Sequence, residues 1–526
     1  MGINRICTIR ESLEYRALQT PNHIYCVEDG VETNFQTLER HVNRLANGLA
    51  EIGIGTGSHV AAMMANHRDH IITFLALAKL GAVWIPVNTN LRGASLEWVI
   101  SKSVPQAMII DADFWKQLEA IPAFGAIKVL ILRNNVAGVT GRKAFNFSAV
   151  AEGNRSLATG APELDEIRAV FFTSGTTGEP KGALLTERML QTCAISAGNA
   201  ADVQSGDVFL LWEPIYHTAG AQMCILALRE LVTLVVVPRF SASRFWDQVR
   251  RCGVTKIHYL GGVLDILMKR QPSPSDRDHR VKIAFGAGCN RETWRLFEER
   301  FGVVIREAYG LTEGSCFTTV NISGKIGSIG KPYPYLEVRI VDDSGNPLPA
   351  GRVGEIIMRG KEPGLIAKGY LENPEATKEA FRDGWLYTGD LGRYDEDGDF
   401  YYVGRRKDSI RRRGENISAW EVERVLNLHP AVEESAAIGV KASIGEEELK
   451  VFIKCRAGHT LDPLDLVKWC EPRMPRYQIP RYIVFVEGFQ RAPTQRILKE
   501  TLSRDTIGCW DLERSGYCLK RSYSKS

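Results

Sequence analysis

The sequence predicts an α/β protein with a large N-terminal domain of layered parallel α/β sheets, a β-rich subdomain and a small α+β C-terminal domain. Short apolar runs without polar alternation, such as 60–64, are separated by helical stretches and tight glycine turns, which is the pattern of parallel βαβ units. After Gly327, glycine and proline become frequent and the apolar runs are separated by turns, which predicts antiparallel strands. Beyond Gly404, helices and strands form a unit of about 100 residues, large enough to fold as its own domain.

The N-terminal elements follow from the spacing of apolar residues. From Leu38 to Ile52 they recur three or four residues apart, and Gly53 stands where the predicted helix ends. A strand buried on both faces is predicted at 60–64, and a helix at 69–80. Further strands are predicted at 82–85, 107–110, 129–132, 231–237 and 283–285.

The later elements are shorter. Strands are predicted at 336–341, 353–358 and 400–403, the last after a tight hairpin turn at 395–399. In the C-terminal unit we expect a helix at 419–428 and strands at 435–440 and 450–453. A second helix ends at Cys470, with Asp462 as its N-cap and Pro463 at its first position.

Composition and charge exclude several classes of protein. A chain of 526 residues exceeds what one hydrophobic core holds, so two to four structural units are expected. The net charge of +4 is small for this length and argues against a nucleic-acid partner. The 11 cysteines are scattered without a Cys-x-x-Cys pair, which predicts reduced thiols in a cytoplasmic protein. The apolar run 71–87 is interrupted by Lys79 and Pro86, so no membrane insertion is expected.

The segment 171–182 has the composition of a phosphate-binding loop. The end of an apolar strand is followed by four hydroxyl residues, three glycines and a lysine. Glycines let backbone N–H groups approach a ligand closely, and such groups with hydroxyls and one ammonium suit a polyphosphate. Pro180 stands where a Walker A loop has its second glycine, so the loop is of another type. The alternative is a surface loop built from turn residues.

Two further clusters could bind parts of a nucleotide. In the segment 308–314, the ring of Tyr309 could stack on a base, the Thr312 hydroxyl could meet phosphate and Glu313 could hold Mg²⁺. The alternative is a strand-to-helix turn with a core tyrosine. An apolar strand ends at Asp390, an exposed carboxylate that could accept hydrogen bonds from both ribose hydroxyls or could be an ordinary turn residue.

Two more features have an ordinary and a functional interpretation. His217 follows a strand that ends at Pro214, and a histidine there is either catalytic or packed and hydrogen-bonded. Between Arg405 and Arg413, six of nine residues are cationic. Such a run is usually a solvated face or a nucleic-acid patch, but no neighbouring stretch extends it and the chain is barely basic.

These segments, in this order, resemble the acyl-adenylating superfamily of acyl-CoA synthetases, peptide-synthetase adenylation domains and firefly luciferases. The resemblance covers nearly the whole chain and rests on the loop 171–182, Tyr-Gly-x-Thr-Glu from 309, Thr-Gly-Asp from 388 and Gly-Arg-x-Lys-Asp…Gly-Glu-Asn from 404. Within the superfamily, the segments 411–423 and 276–279 and the tail around Trp510 resemble the crotonobetaine/carnitine-CoA ligase group.

The resemblance implies an ATP-dependent carboxylate–CoA ligase that uses ATP, Mg²⁺ and coenzyme A. A small carboxylic acid attacks the α-phosphate of ATP, pyrophosphate leaves, and the CoA thiol then attacks the acyl-AMP. Two anions must approach each other, so charge neutralisation and positioning dominate catalysis. The implied domains are an adenylate-forming domain at 1–406, a mobile C-terminal domain at 407–504 that rotates about a hinge at Lys407, and a tail at 505–526. We expect a monomer or homodimer.

The resemblance also implies a role for each matching residue. The catalytic set is Arg496, Thr312, Glu313, His217 and Lys407, with Glu313 as the magnesium ligand. The residues that hold the phosphates are Thr173, Ser174, Gly175, Thr176, Thr177, Gly178 and Lys181. Those implied for the rest of the nucleotide and for CoA are Gly286, Ala287 and Tyr309 beside adenine, Asp390 and Arg405 on the ribose, and Gly414 in the pantetheine tunnel.

Near the C-terminus the chain departs from the superfamily pattern Pro-Thr-Gly-Lys. Arg496 occupies the position of the lysine that bridges the carboxylate and the α-phosphate, and Gln495 replaces the glycine. Arginine keeps the charge but is bulkier and is not interchangeable with lysine. We expect Arg496 to bridge the two anions, with Lys499 as the less favoured substitute.

Two other functions stay open at this point. A stand-alone amino- or aryl-acid-adenylating enzyme is one, although amino-acid activators usually carry an aspartate near Tyr216 and none is present there. A nucleotide-binding protein with little turnover is the other, because the usual lysine is missing. The acid is a carnitine-like cation, with Trp212, Glu213 and Tyr216 as a possible lining, or an aromatic or medium-chain acid.

Overall fold

A computed structural model describes residues 6–134, 143–153, 162–173, 180–406, 409–412, 415–441, 447–492 and 496–519. The chain forms two compact units. Unit 1 comprises Met1–Val338 and Ile357–Tyr387, and unit 2 comprises Arg339–Ile356 and Thr388–Ser526. The domain boundary predicted between residues 406 and 407 stays a prediction.

Unit 1 is built on two sheets of mainly parallel strands. Its strands before residue 333 are β1 (Ile24–Glu28), β2 (Val31–Asn34), β3 (His59–Met63), β4 (Val83–Pro86), β5 (Ala107–Asp111), β6 (Val129–Arg133), β7 (Lys143–Asn146), β8 (Ile167–Thr173), β9 (Lys181–Thr186), β10 (Val208–Leu211), β11 (Thr233–Val236), β12 (Lys256–Leu260), β13 (Ile283–Ala287), β14 (Val304–Tyr309), β15 (Thr319–Val320) and β16 (Lys331–Pro332). One sheet has the order β7-β6-β5-β3-β4-β8-β9, and the other β16-β15-β14-β13-β12-β10-β11-β1-β2. The predicted parallel α/β architecture is confirmed.

Helices cover the faces of these sheets. They are α1 (Ile9–Gln19), α2 (Phe35–Glu51), α3 (Arg68–Leu80), α4 (Gly93–Ser103), α5 (Trp115–Glu119), α6 (Phe147–Val150), α7 (Glu187–Ala201), α8 (Thr218–Arg229), α9 (Phe245–Arg251), α10 (Val263–Met268), α11 (Arg291–Phe301) and α12 (Pro374–Ala380). Short 3₁₀ turns lie at Ala112–Phe114, Pro122–Ala126, Pro274–Arg277 and Thr312–Gly314. In β3, Val60 and Ala62 pack into one core while Ala61 and Met63 pack into another, so this strand is buried on both faces as predicted.

Capping residues set the ends of two predicted helices, α2 and α3. The helix predicted from Leu38 begins at Phe35, because the Asn34 side chain accepts a hydrogen bond from the Thr37 N–H. Helix α3 ends at Leu80 and is capped by Gly81, which has a φ of 72°. The apolar run 71–87 is thus a buried helix followed by β4, as expected. Among the described residues, no helix is both long enough and apolar enough to cross a membrane.

The antiparallel pair β8–β9 departs from the parallel pattern. Thr173, at the end of β8, pairs with Lys181, at the start of β9. The segment 171–182 therefore belongs to a hairpin, whereas the sequence predicted only the first of its two strands. This pairing fixes the backbone at both ends of the glycine-rich loop.

The boundary between the two units passes through three strands, β17 (Leu336–Val341), β18 (Gly354–Gly360) and β20 (Trp385–Tyr394). The short strand β19 (Phe381–Arg382) belongs to unit 1 and pairs with the start of β20. In unit 2, β20 pairs antiparallel with β21 (Phe400–Arg405) around the predicted turn at 395–399.

The C-terminal part of unit 2 is the predicted α+β unit. Its elements are β22 (Ser409–Arg412), β23 (Glu415–Ser418), α13 (Ala419–Leu426), β24 (Val432–Lys441), β25 (Glu447–Cys455), α14 (Pro463–Cys470), β26 (Tyr482–Phe485) and β27 (Trp510–Asp511), with 3₁₀ turns at Arg476–Gln478 and Lys499–Thr501. Strands β24 to β27 form one sheet in chain order. Asp462 caps α14 by accepting hydrogen bonds from two backbone N–H groups, as predicted.

Candidate active site

The glycine-rich hairpin provides two flanking residues for a phosphate site. Ser174, Gly175, Thr176, Thr177 and Gly178 lie outside the described residues. Thr173 and Lys181 face each other across the hairpin, and the Thr173 hydroxyl lies 3.4 Å from the Lys181 carbonyl oxygen. Lys181 is the first residue of β9, so its backbone position is fixed by the pairing with Thr173.

The carboxylate of Glu313 lies against this hairpin. Its Oε1 accepts hydrogen bonds from Thr173 Oγ1 at 3.3 Å and from Tyr370 Oη at 2.9 Å. Glu313 is only 8% exposed and lies in the 3₁₀ turn that follows β14. The turn needs glycine at position 310, because a Cβ there would lie 1.2 Å from the Cys316 carbonyl oxygen. The structure thus brings together three predicted site residues from two distant segments of unit 1.

A magnesium ion would find few protein ligands at Glu313. Among the described residues, three carboxylates gather within 4.8 Å of one another only at Asp395, Asp397 and Asp399, where they close the hairpin turn of unit 2. Mg²⁺ usually binds one or two carboxylates and completes its shell with water and substrate phosphates. A single buried carboxylate beside the hairpin predicted to bind phosphate fits such an ion when ATP accompanies it.

Tyr370 is a site residue that the sequence interpretation missed. Besides its hydrogen bond to Glu313, its ring lies 5.2 Å from the Lys181 ammonium, measured from the ring centroid. Nothing local in the stretch 368–373 indicates this contact, because the partners are 57 and 189 residues away along the chain. A tyrosine in a turn with glycine and proline reads as ordinary loop composition.

His217 is the N-cap of α8, and this fixes its tautomer. Its Nδ1 accepts a hydrogen bond from the Ala219 N–H at 3.2 Å, so the ring proton lies on Nε2. Burial, together with the nearby charge of His258, lowers the pKa of His217 to about 4. At neutral pH this side chain is therefore an uncharged hydrogen-bond donor. The adjacent Thr218 hydroxyl lies 3.5 Å from the Thr312 hydroxyl, which joins this loop to the turn that holds Glu313.

Glu213 does not serve as a simple acidic lining. It is fully buried, and its Oε1 lies 2.5 Å from His258 Nδ1. Its Oε2 is also buried and makes no hydrogen bond to the described residues. Asn66 holds the backbone of this loop by donating to the Glu213 carbonyl oxygen at 2.7 Å and accepting from the Ile215 N–H at 2.9 Å. The aromatic Trp212 is likewise buried and donates to the His258 carbonyl oxygen.

The predicted adenine edge, Gly286 and Ala287, ends β13. Gly286 has a φ of 158°, and a Cβ there would lie 1.9 Å from the Tyr259 carbonyl oxygen. Tyr309 ends the neighbouring strand β14 and is 6% exposed, so its ring is mostly buried. Glycine at 286 therefore lets β13 pack closely against the backbone of Tyr259 in β12.

Glu307 supports this edge and was not predicted from the sequence. Its Oε1 accepts a hydrogen bond from the Gly288 N–H at 2.6 Å, and its Oε2 accepts from the Cys289 N–H at 3.1 Å and from the Tyr259 hydroxyl. Burial raises the pKa of Glu307 to about 8, although these hydrogen bonds lower it. The one available signal was a carboxylate in a strand whose other residues, apart from Arg306, are apolar or aromatic.

The predicted ribose residues form a pair within unit 2. Asp390 and Arg405 face each other on β20 and β21, with Arg405 Nε 3.2 Å from Asp390 Oδ1. The sequence interpretation was wrong about the surroundings of Asp390: the strand continues to Tyr394, and Asp390 is 4% exposed. The paired arginine compensates the charge of the buried carboxylate.

Besides Arg405, two further cations of the basic run form ion pairs inside unit 2. Arg406 pairs with Glu355 at 2.9 Å and with Asp343. Arg412 is 6% exposed, and its Nε lies 2.6 Å from Glu448 Oε2. These two arginines are engaged with carboxylates and are not part of a solvated nucleic-acid patch. Lys407 and Gly414 lie outside the described residues.

The two candidates for the bridging cation have different surroundings. Arg496 is exposed, and its carbonyl oxygen accepts a hydrogen bond from the Ala492 N–H at 2.7 Å. The Lys499 ammonium lies 2.8 Å from Glu423 Oε1, at the helix α13. The lysine is therefore already committed to a carboxylate in this structure.

Comparisons with known proteins match this fold and these segments. The family described as AMP-binding enzyme matches residues 13–371, and the AMP-binding enzyme C-terminal domain matches residues 421–496. The crotonobetaine/carnitine--CoA ligase of Escherichia coli O9:H4 (strain HS) is 32% identical over 488 residues, which cover 90% of this chain and 94% of the relative.

Two solved structures illustrate the likeness of fold. ATP-bound MatB from Rhodopseudomonas palustris is 26% identical, with a TM-score of 0.84 over 94% of this chain and 98% of that one. The o-succinylbenzoate coenzyme A synthetase MenE from Bacillus subtilis, in complex with ATP and magnesium ion, is 24% identical, with a TM-score of 0.82 over 93% and 98% of the two chains. This chain belongs to the AMP-binding enzyme family, whose crotonobetaine/carnitine--CoA ligases are among its relatives.

Proposed function

We propose that this chain is an ATP-dependent carboxylate–CoA ligase of the AMP-forming type. It converts a small carboxylic acid, ATP and coenzyme A into an acyl-CoA thioester, AMP and pyrophosphate. The observation that carries the proposal is the contact between Glu313 and Thr173, which brings a carboxylate suited to Mg²⁺ to the end of the glycine-rich hairpin. Family membership and the CoA ligases among the relatives support the same activity.

In the first half-reaction, a carboxylate oxygen of the acid attacks the α-phosphorus of ATP. The bond from that phosphorus to the bridging oxygen breaks, and pyrophosphate leaves with the electron pair. Lys181 and the hairpin N–H groups hold the phosphates, and Glu313 would hold Mg²⁺, which neutralises phosphate charge when bound. His217 offers an uncharged Nε2–H to an anionic oxygen at the wall of the acyl site.

Arg496 bridges the two reacting anions in this proposal. A guanidinium can donate to two oxyanions at once, which suits a carboxylate and an α-phosphate. Support comes from its exposure and from the ion pair that already engages Lys499 with Glu423. Asp390 would accept hydrogen bonds from the ribose hydroxyls, while Arg405, whose Nε lies 3.2 Å from its Oδ1, holds the carboxylate in place.

In the second half-reaction, the CoA thiolate attacks the acyl carbonyl carbon and AMP leaves. We propose that the C-terminal domain at 407–504 rotates about Lys407 between the two steps and that Gly414 lines the pantetheine tunnel. The cytoplasmic location and the monomeric or homodimeric state stay proposals; the free cysteines support the first.

Crotonobetaine or carnitine are the first acids to test, because they are the substrates named for the relatives. Aromatic and medium-chain acids are the other classes of the panel. Activity on linear acids without activity on either betaine would remove this assignment.

A panel of acids tests the function itself. Each acid is incubated with ATP, Mg²⁺ and CoA, and AMP, pyrophosphate and acyl-CoA are measured. A ligase gives equal amounts of all three in the presence of one class of acid. Repeated turnover of the acid and ATP without CoA would favour a stand-alone adenylating enzyme, and ATP binding without turnover would favour a nucleotide-binding protein.

A further inference from the structure

We propose that Tyr370 is a positioning residue for the nucleotide step, because it holds the Glu313 carboxylate and the Lys181 ammonium in fixed relation to each other. This inference rests on the proposed function of that site. Tyr370 belongs to a segment, residues 365–371, that contacts both halves of the phosphate site within unit 1. We call this segment the brace.

One side of the brace pairs with the second strand of the phosphate hairpin. The Leu184 N–H donates to the Gly369 carbonyl oxygen at 3.0 Å, and the Leu371 N–H donates to the Gly182 carbonyl oxygen at 2.8 Å. Tyr370 itself lies opposite Ala183 in an antiparallel bridge. These bonds fix the brace to β9, the strand that begins at Lys181.

The other side of the brace holds the turn that carries Glu313. The Ala367 N–H donates to the Glu313 carbonyl oxygen at 2.9 Å, and the Ser315 hydroxyl donates to the Leu365 carbonyl oxygen. Hydrogen bonds to the main chain of these seven residues thus connect the hairpin and the turn. This gives Tyr370 a fixed backbone from which its side chain reaches both.

The side chain of Tyr370 makes one polar and one cation–π contact. Its hydroxyl donates to Glu313 Oε1 at 2.9 Å, and its ring centroid lies 5.2 Å from Lys181 Nζ. The carboxylate oxygen can only accept, so the tyrosine hydroxyl is the donor of this bond. A ring under an ammonium attracts it without neutralising it, which leaves the lysine charge available for phosphate.

Partners of a metal-binding carboxylate usually matter nearly as much as the carboxylate itself. Removing such a hydrogen-bond partner typically weakens metal binding by about 10- to 100-fold. The tyrosine hydroxyl restricts the orientation of Glu313 before any ligand arrives. The expected consequence is a defect in the magnesium dependence of ATP binding, distinct from a loss of folding.

Two substitutions separate the two contacts. Tyr370→Phe removes only the hydroxyl, whereas Tyr370→Leu removes both the hydroxyl and the ring. Tyr25→Phe is the matched control, because the Tyr25 hydroxyl is also buried in unit 1 but donates to the Cys224 carbonyl oxygen. ATP binding to the full-length proteins is measured by calorimetry with and without Mg²⁺, and urea unfolding of each variant is recorded.

We expect Tyr370→Phe to raise the Mg²⁺ concentration for half-maximal enhancement of ATP binding by about tenfold, at the lower end of what loss of such a partner costs. Its ATP affinity without Mg²⁺ should be unchanged. Tyr370→Leu should weaken ATP binding under both conditions, since the ammonium loses its ring. With an acid that the enzyme accepts, the KM for ATP should rise while the KM for CoA stays constant.

An unchanged magnesium dependence in Tyr370→Phe, or the same shift in Tyr25→Phe, would overturn the inference. If Tyr370→Leu does not unfold cooperatively in urea, it is not properly folded, and the test then depends on Tyr370→Phe alone. Absence of ATP binding by the unmodified protein would instead contradict the proposed function, so the two failures are distinguishable.

Discussion

Lys499 Nζ lies 2.8 Å from Glu423 Oε1, which commits the lysine nearest to Arg496 to an ion pair with helix α13. Arg496, three residues earlier, is exposed. In the superfamily pattern a cation stands at position 496. The ammonium of Lys499 is already paired with Glu423, whereas the side chain of Arg496 is exposed. We therefore expect Arg496, and not Lys499, to bridge the carboxylate and the α-phosphate.

Arg496→Ala should lower the rate of ATP–pyrophosphate exchange by about 100-fold or more, as removal of a group that stabilises developing charge does. Lys499→Ala should leave this rate within about threefold, because loss of a partly exposed ion pair affects mainly local stability. Exchange with an accepted acid is measured for both. Arg496→Lys serves as the conservative control, and a collapse confined to Lys499→Ala would reverse the assignment.

Glu313→Gln should weaken ATP binding in the presence of Mg²⁺ far more than in its absence, because the amide no longer neutralises the ion. The amide oxygen can still accept from Tyr370, so the turn should remain folded. Calorimetry at varied Mg²⁺ concentration measures the effect. Glu337→Gln is the control, since Glu337 pairs with Arg359 on the surface of the same unit; equal effects in both variants would contradict a metal role.

The fold should lose stability as the pH falls from about 6.5 toward 4, partly because of His217. Its pKa is about 4 in the folded chain and near 6.5 when unfolded, so between these values the unfolded chain binds more protons. The contribution is therefore fully present above pH 6.5 and is lost as the pH falls through 4.

The variant His217→Asn keeps a capping side chain but removes the titration, so its urea midpoint should depend less on pH in this window. Urea unfolding from pH 4.5 to 7.5 measures the slopes. Equal slopes for the unmodified and variant proteins would show that His217 does not have a depressed pKa.

Glu307 should act in the opposite direction at higher pH. Its pKa is about 8 in the folded chain against 4.5 ordinarily, so the folded chain binds more protons between these values and stability falls as the pH rises through 8. Glu307→Gln should flatten this dependence of stability on pH, while its amide oxygen still accepts the hydrogen bond from the Gly288 N–H.

Glu307→Ala should also raise the KM for ATP, because the loop beside Gly286 loses the side chain that holds it. An unchanged KM would mean that the position of the loop does not depend on Glu307.

Much of the fold was predictable because its signals are local. The apolar run 60–64, the cap at Asp462 and the hairpin turn at 395–399 each depend on neighbours in the sequence. The contacts of Tyr370 and Glu307 join residues far apart in the chain, and no periodicity or turn signal encodes them. Glu213 shows a third case: a carboxylate next to a histidine motif looked available to substrate, but the fold places His258 against it.

The most direct test of the proposed activity is stoichiometric. The unmodified protein is incubated with ATP, Mg²⁺, CoA and crotonobetaine, carnitine or another acid of the panel, and the nucleotide and thioester products are quantified together. The account predicts one AMP and one pyrophosphate for each acyl-CoA, with all three products reduced together in Arg496→Ala. Formation of ADP and phosphate, or release of acyl-CoA that does not depend on Arg496, would contradict it.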